Sequence, residues 1–216
     1  MANPSPDVPE PEVFPDGPSP DEALRHLRQA RVGTLFADEA IFAVAFVADG
    51  ATGRLVFPVA PQALDASQHV LHVPEESDDS MQLLLTVHPI DRESHEACDR
   101  HLAYHGSPRA SAWVAASIDS AKWAGLVFDG LALNIPNALR EAEPKLVKRA
   151  NADRDALRGA CARRAGVEPA EPLCVGVDPD GLDVRARFGI VRVAFDEPTE
   201  TREAAEAAID RLLGKI

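Results

Sequence analysis

The sequence predicts an α+β protein, an antiparallel split β-barrel followed by a small α-β-β-β-α domain. Three observations carry this expectation. Short apolar runs of period two fill the chain from Val32 to about Asp129, broken by turn residues such as Asp49-Gly50, Pro61, Pro74 and "SDDS". Beyond residue 144 helical periodicity returns, followed by three strand-like runs and a closing helix. With 216 residues, 45% of them hydrophobic, the chain can fill a core without staples.

The opening twenty residues contain seven prolines. Such a stretch cannot offset its ordering entropy, so residues 1–18 are expected to form a disordered tail. At "SPDEALRHLRQAR" a helix starts, with Ser19 as cap, Pro20 in the first turn and Glu22 completing a capping box. Leu24, Leu27 and Ala30 form its apolar stripe. The runs "VGTLFA", "AIFAVAFVA", "RLVFPVA", "HVLHVP", "MQLLLTV", "HLAYHG", "AWVAASI" and "AGLVFD" then read as strands, and they place the split barrel at 19–139.

The small C-terminal α/β domain is expected at 140–216. Its first helix is predicted from about Pro144 to Ala165, and "PLCVGVD", "LDVRARF" and "IVRVAF" supply three strands. Asp180-Gly181 between two of them is a hairpin signal. The last helix has Thr199 or Thr201 as cap, with Ala205, Ala208, Ile209, Leu212 and Leu213 on one face.

Charge narrows the function classes. Residues 1–139 hold 8 Lys and Arg against 20 Asp and Glu, whereas residues 140–216 hold 14 against 15. A net charge of −13 argues against nucleic acid and anionic membranes as partners. No long apolar run and no basic start before an apolar segment occurs, so a cytoplasmic protein without a span or signal peptide is expected. Three cysteines, Cys98, Cys161 and Cys174, lack CxxC spacing and read as reduced, buried thiols.

The densest candidate cluster is "HEACDRHLAYH", with His95, Cys98, His101 and His105. On a helix those spacings would gather side chains toward one face, as zinc requires. On a strand His101 and His105 stand about 13 Å apart, at roughly 3.3 Å per residue. Because "HLAYHG" sits among strands, the strand is expected and no metal site with it. Cys98, flanked by Glu96 and Asp99, is not expected to be a nucleophile.

Neither a Rossmann fingerprint nor a P-loop occurs. An anionic ligand of the barrel must then use Arg54, Arg92, Arg100, Arg109 or Lys122, the five basic residues between 32 and 139. Tyr104, Trp113 and Trp123 either stack on a planar ring or, as packing more often dictates, fill the core or a subunit interface. The segment "KRANADRDALRGACARR", Lys148 to Arg164, has six basic residues. It reads as a solvated or subunit-facing helix, an intramolecular salt-bridge surface, or a grip for carboxylate or phosphate.

The stretches "NADRDALRGACARRAGVEP", "CVGVDPDGLDVR" and "VRVAFDEPTETREAAEAAIDRL", with "RVGTLFA", "FAVAFVADGATGRLVFPV", "YHG" and "SIDSAKWAGLVFDG" ahead of them, resemble a known family. They are similar to the flavin-binding split-barrel proteins of the pyridoxamine 5′-phosphate oxidase-like superfamily, in the HugZ-like haem-utilisation branch. The resemblance covers about residues 20–214. It implies a homodimer paired through the barrel, with FMN or haem in the interface cleft and an oxidoreductase activity as one outcome. For such a cofactor Arg54, Arg109 and Lys122 are the candidates for anionic groups, and Trp123 for the ring.

The chain departs from the family pattern in three places. "RANADR" puts Arg149 and Arg154 where relatives have histidines, "PEESDDS" replaces a basic phosphate loop, and "WAGLVFDG" keeps only part of a glycine-rich segment. A degenerate cofactor site follows. The alternative is a cofactor-free dimeric binding or regulatory protein that uses the barrel as a scaffold and meets a protein partner.

Overall fold

The computed structural model describes residues 17–108 and 112–215. Helix α1 (Pro20–Leu27) opens on the expected box: the Ser19 hydroxyl accepts from the Glu22 amide, and the Glu22 carboxylate accepts from the Ser19 amide. Such a cap contributes about 1 kcal/mol and sets where the helix starts. Its buried side, Ala23 and Leu27, closes one mouth of the sheet below.

Eight strands form that sheet: β1 (Val32–Ala37), β2 (Ala40–Ala45), β3 (Val47–Ala48), β4 (Leu55–Val59), β5 (His69–Val73), β6 (Met81–Ile90), β7 (Ala112–Trp123) and β8 (Leu126–Asp129). The order is β2-β1-β5-β6-β7-β4-β3, all antiparallel, with β8 added beside the far half of β7. The sheet curls into a half-barrel, and α+β is the observed class. Its concave side is one apolar row after another. Leu35, Leu71, Leu83, Ala121 and Phe128 stand opposite one another across β1, β5, β6, β7 and β8, and all are buried.

A bulge on β7 makes that row continuous. Leu84 pairs with Ser120 but Leu85 pairs with Ile118, so Asp119 is an extra residue. Val114, Ala116 and Ile118 face the core before it, and Ala121 and Trp123 after it. Asp119 turns out and accepts from the Thr86 hydroxyl at 2.8 Å.

The expectation of a strand at "HLAYHG" is corrected. Residues Glu96–His105 are helix α2, which ends at Gly106. Ala97, Cys98, His101 and Tyr104 are its buried residues, a spacing of one, three and three that follows a helical face and not a strand. The helix lies over the convex side of β3 and β4, where Val47, Val56, Trp113 and Ala115 form a second small core with it. His101 and His105 therefore lie with ring centroids 4.8 Å apart, not at opposite ends of a strand.

The tail is a three-stranded antiparallel sheet, β9 (Leu173–Asp178), β10 (Gly181–Ala186) and β11 (Gly189–Ala194), packed by α3 (Glu143–Ala150), α4 (Arg154–Ala165) and α5 (Arg202–Leu212). The single helix expected from 144 to 165 is thus two. Asn151 stops α3, and its amide pairs with both backbone groups of Cys174: Nδ2 donates to the carbonyl at 2.8 Å and Oδ1 accepts from the amide at 2.9 Å. Asp153 then caps α4 by accepting from the Ala156 amide. Short polar side chains compete with helical hydrogen bonds, and "NAD" places two of them in succession. Thr201 caps α5 as one of the two expected threonines. Among the described residues no helix is long and apolar enough to cross a membrane.

Candidate functional site

Successive strand residues point to opposite faces, so the rows between the buried ones face outward. The first reads Ile41, Phe36, Val70, Leu84, Ser120, Asp129 across six strands, and the second Ala43, Thr34, His72, Gln82, Lys122, Val127. Helix α2 covers the β3–β4 side of the sheet and, among the described residues, leaves these rows uncovered. Ile41 is 59% exposed, Leu84 37% and Val127 74%. The apolar run Ile41, Phe36, Val70 and Leu84 of the first row, with His72, Gln82 and Lys122 beside it in the second, is the feature that a surface built only for water would lack.

His72 has a defined chemistry in this strip. Its Nδ1 lies 3.1 Å from the Ser80 Oγ, and Ser80 spends its one hydroxyl proton on the Ser77 carbonyl at 2.8 Å. Ser80 is therefore the acceptor, His72 carries its proton on Nδ1, and the lone pair is on Nε2. The ring rests against Phe36 at 5.0 Å. "HVLHV" puts His69 on the other face, where its Nε2 donates to the Ala63 carbonyl inside the barrel.

The residues singled out in the sequence do not converge. Lys122 is exposed in the second outward row, whereas Trp123, its neighbour on β7, turns inward and is half-buried. His26 of α1 stacks on the Trp123 ring at 4.4 Å, and Phe128 flanks it. Arg54 precedes β4, beside the Ser117–Ile118 part of β7, roughly 15 Å from Lys122 at ~3.3 Å per residue. It lines an open hollow of about 520 Å³ together with Thr52, Asp119 and Asp129. Arg109 lies outside the described residues.

The two clusters that looked most chemical are engaged within the fold. His101 and His105 donate from Nε2 to the carbonyls of Ala45 and Phe46, at 2.9 and 3.2 Å, and so pin α2 to the β2–β3 corner. Burial pushes the His101 imidazole down to about 4 and lowers that of His105 as well. The basic stretch around α4 is likewise a set of clamps. Arg149 pairs with Asp210, Arg154 and Arg158 donate to the carbonyls of Pro172, Pro169 and Ala170, Arg163 reaches the Leu212 carbonyl, and Arg164 pairs with Asp196. Of the three readings of that helix, the intramolecular one describes these contacts.

A charge cluster that spacing did not signal lies where the half-barrel meets the tail. Asp183 on β10 is 1% exposed and accepts from Arg31 at 2.6 Å, Tyr104 at 2.9 Å and Arg192 at 3.3 Å. Burial alone would raise its pKa, but Arg31 and Arg192 overcome that and hold the carboxyl below its usual range. Arg100 joins Tyr104 to Glu143, which also accepts from the Val177 amide. Arg28 pairs with Asp180. The charges offset one another, so this is a joint that fixes orientation, not a waiting anion site. The sequence signal was "RHLRQAR" against "DPDGLD", two motifs 152 residues apart.

No protein-family model matches the chain, and no curated protein matches it either. Solved structures do. The protein Atu2129 of Agrobacterium tumefaciens, of unknown function, is similar with a TM-score of 0.68 at 20% identity, over 95% of this chain and 100% of that one. A haem-binding protein from Mycobacterium smegmatis aligns with a TM-score of 0.40 at 21% identity, over 92% of this chain and 98% of that one. The likeness to the Agrobacterium protein is one of fold, and it extends over both the half-barrel and the tail.

Proposed function

We propose that the bare outer face of the half-barrel binds a planar, largely apolar cofactor, haem in preference to FMN, in the seam between two copies of the chain. The observation that carries this reading is the outward strip of Ile41, Phe36, Val70, Leu84 and Val127 with Lys122 beside it. Keeping apolar area out of water is worth about 25 cal/mol per Å², which favours covering such a strip. The family that the sequence resembles pairs through this barrel and holds its cofactor in the cleft.

The residues present suit haem better than FMN. A phosphomonoester meets Glu75, Glu76, Asp78 and Asp79 in the β5–β6 turn, and Asp119 and Asp129 around Arg54. Haem presents a wide apolar ring to the strip and needs cationic help only at its two carboxylates, which Lys122 can give. Bound haem would supply redox or ligand-exchange chemistry. The chain's part is to bind, orient and shield it.

Absorption titrations with haemin and with FMN, paired with sedimentation of the protein and of Ile41→Asp, test the reading. Saturable Soret binding at one haem per subunit, no flavin binding and a wild-type dimer weakened by Ile41→Asp are expected. An unchanged haemin spectrum with a persistent dimer would instead establish the cofactor-free scaffold, the reading that the acidic turn favours.

A further inference from the structure

Resting on that reading, we infer that His72 is the axial ligand of the bound iron, through Nε2, and that Ser80 positions it. A metal-ligating imidazole needs one nitrogen free and the other held by an acceptor, which fixes the tautomer and makes the ring a better donor. His72 meets both requirements: Ser80 accepts from Nδ1, and among the described residues no hydrogen bond engages Nε2. Side chains stand roughly perpendicular to a sheet, so Nε2 would hold the iron above the strip. Phe36, Val70 and Leu84, in the row beside His72, would supply the apolar contact.

Lys122 stands in the same row two strands away, roughly 10 Å at ~4.8 Å per strand, on the far side of Gln82. Lys122 would attract the carboxylates of haem, and the four acidic residues of the β5–β6 turn would repel them. The remaining histidines are placed elsewhere. His69, His101 and His105 donate to backbone carbonyls, and His26 stacks on Trp123. His88 sits at the other end of β6, about 20 Å along the strand from Gln82, and His95 precedes α2. The tail has no histidine.

The test compares haemin titrations of wild type, His72→Ala, His72→Gly with added imidazole, and Ser80→Ala, each checked by thermal melting for an intact fold. Expected are a shifted Soret band and at least tenfold weaker binding in His72→Ala, and recovery of the wild-type band when imidazole is added to His72→Gly. Ser80→Ala should weaken binding about tenfold and raise the reduction potential of the bound haem, because the imidazole donates less strongly without its acceptor. If wild type binds haemin and His72→Ala gives the same band and affinity, the ligand assignment is overturned while the face remains the binding site. If wild type does not bind haemin, both fall.

Discussion

Arg31, at the entry to the first strand, reaches Asp183 in the tail sheet with two guanidinium nitrogens, at 2.6 and 3.1 Å from one carboxylate oxygen. The same guanidinium donates to the carbonyls of Arg28 and Ala30, so the pair ties the end of α1 to the tail as firmly as to its own turn. Breaking a buried pair by removing one partner costs about 3–5 kcal/mol, since the other charge is left stranded. Asp183→Asn leaves Arg31 and Arg192 with Asp178 as their remaining acidic partner, so a loss of about 3 kcal/mol, the low end of that range, is expected in urea titrations. A midpoint within error of wild type would show that the joint contributes nothing net.

The α2 histidines predict a specific acid sensitivity. In the unfolded chain they take up protons near the ordinary value of 6.5, whereas burial holds His101 neutral down to about 4. Stability is therefore full above pH 6.5 and drains away as pH falls toward 4. His101 Nδ1 is buried and has no partner among the described residues, so protonation adds a donor that none of them receives. Melting temperature should fall between pH 7 and pH 5, a range in which most carboxylates stay ionised. His101→Gln, which can still donate to the Ala45 carbonyl, should flatten that slope.

Gly176 on β9 has no room for a side chain. A Cβ there would sit 1.7 Å from the Tyr104 hydroxyl and 2.8 Å from an Arg100 nitrogen. Gly176→Ala should push Tyr104 off Asp183 and destabilise by about 1–3 kcal/mol. Tyr104→Phe removes the nearest atom of the clash, so Gly176→Ala should cost less in the Tyr104→Phe background than alone. Strict additivity in that double-mutant cycle would place the strain elsewhere.

Asn151 supports β9 from the helical side. Asn151→Ala leaves the amide and carbonyl of Cys174 without their partners, at about 1–3 kcal/mol for each buried group. Hydrogen exchange at the Cys174 amide should accelerate by more than tenfold. Asn151→Asp, which keeps only the acceptor, should fall between the two.

Most of the architecture was readable because it is periodic. "VGTLFA" alternates in burial as a half-buried strand must, "LVFPV" is the unbroken apolar run of a strand covered on both faces, and Ser19-Pro20-Asp21-Glu22 states its own cap. "HLAYHG" misled because six residues are too few to separate a period of two from one of 3.6, and the neighbouring strands biased the choice. "RANADRDAL" looked continuous because helix propensity sees the alanines and arginines, whereas Asn151 acts through Cys174 elsewhere in the chain and Asp153 as the cap of the next helix. The candidate site was less readable. Lys122 lies on the proposed face, but His72 was hidden by its ordinary setting, since no spacing shows that Ser80 will accept from one of its nitrogens. The joint at Asp183 was out of reach for a simpler reason: local spacing carries no record of which arginine a distant aspartate meets.

The extra residue Asp119 gives β7 a change of phase, much as an inserted base shifts a reading frame. Before it, even-numbered residues face inward; after it, odd-numbered ones do. Removing that one residue would restore strict alternation, and one stretch of the strand would then be reversed. Either Lys122 would be driven into the apolar interior with Trp123 cast out, or Val114, Ala116 and Ile118 would surface. One aspartate thus decides whether the lysine of the outer strip belongs to the surface at all.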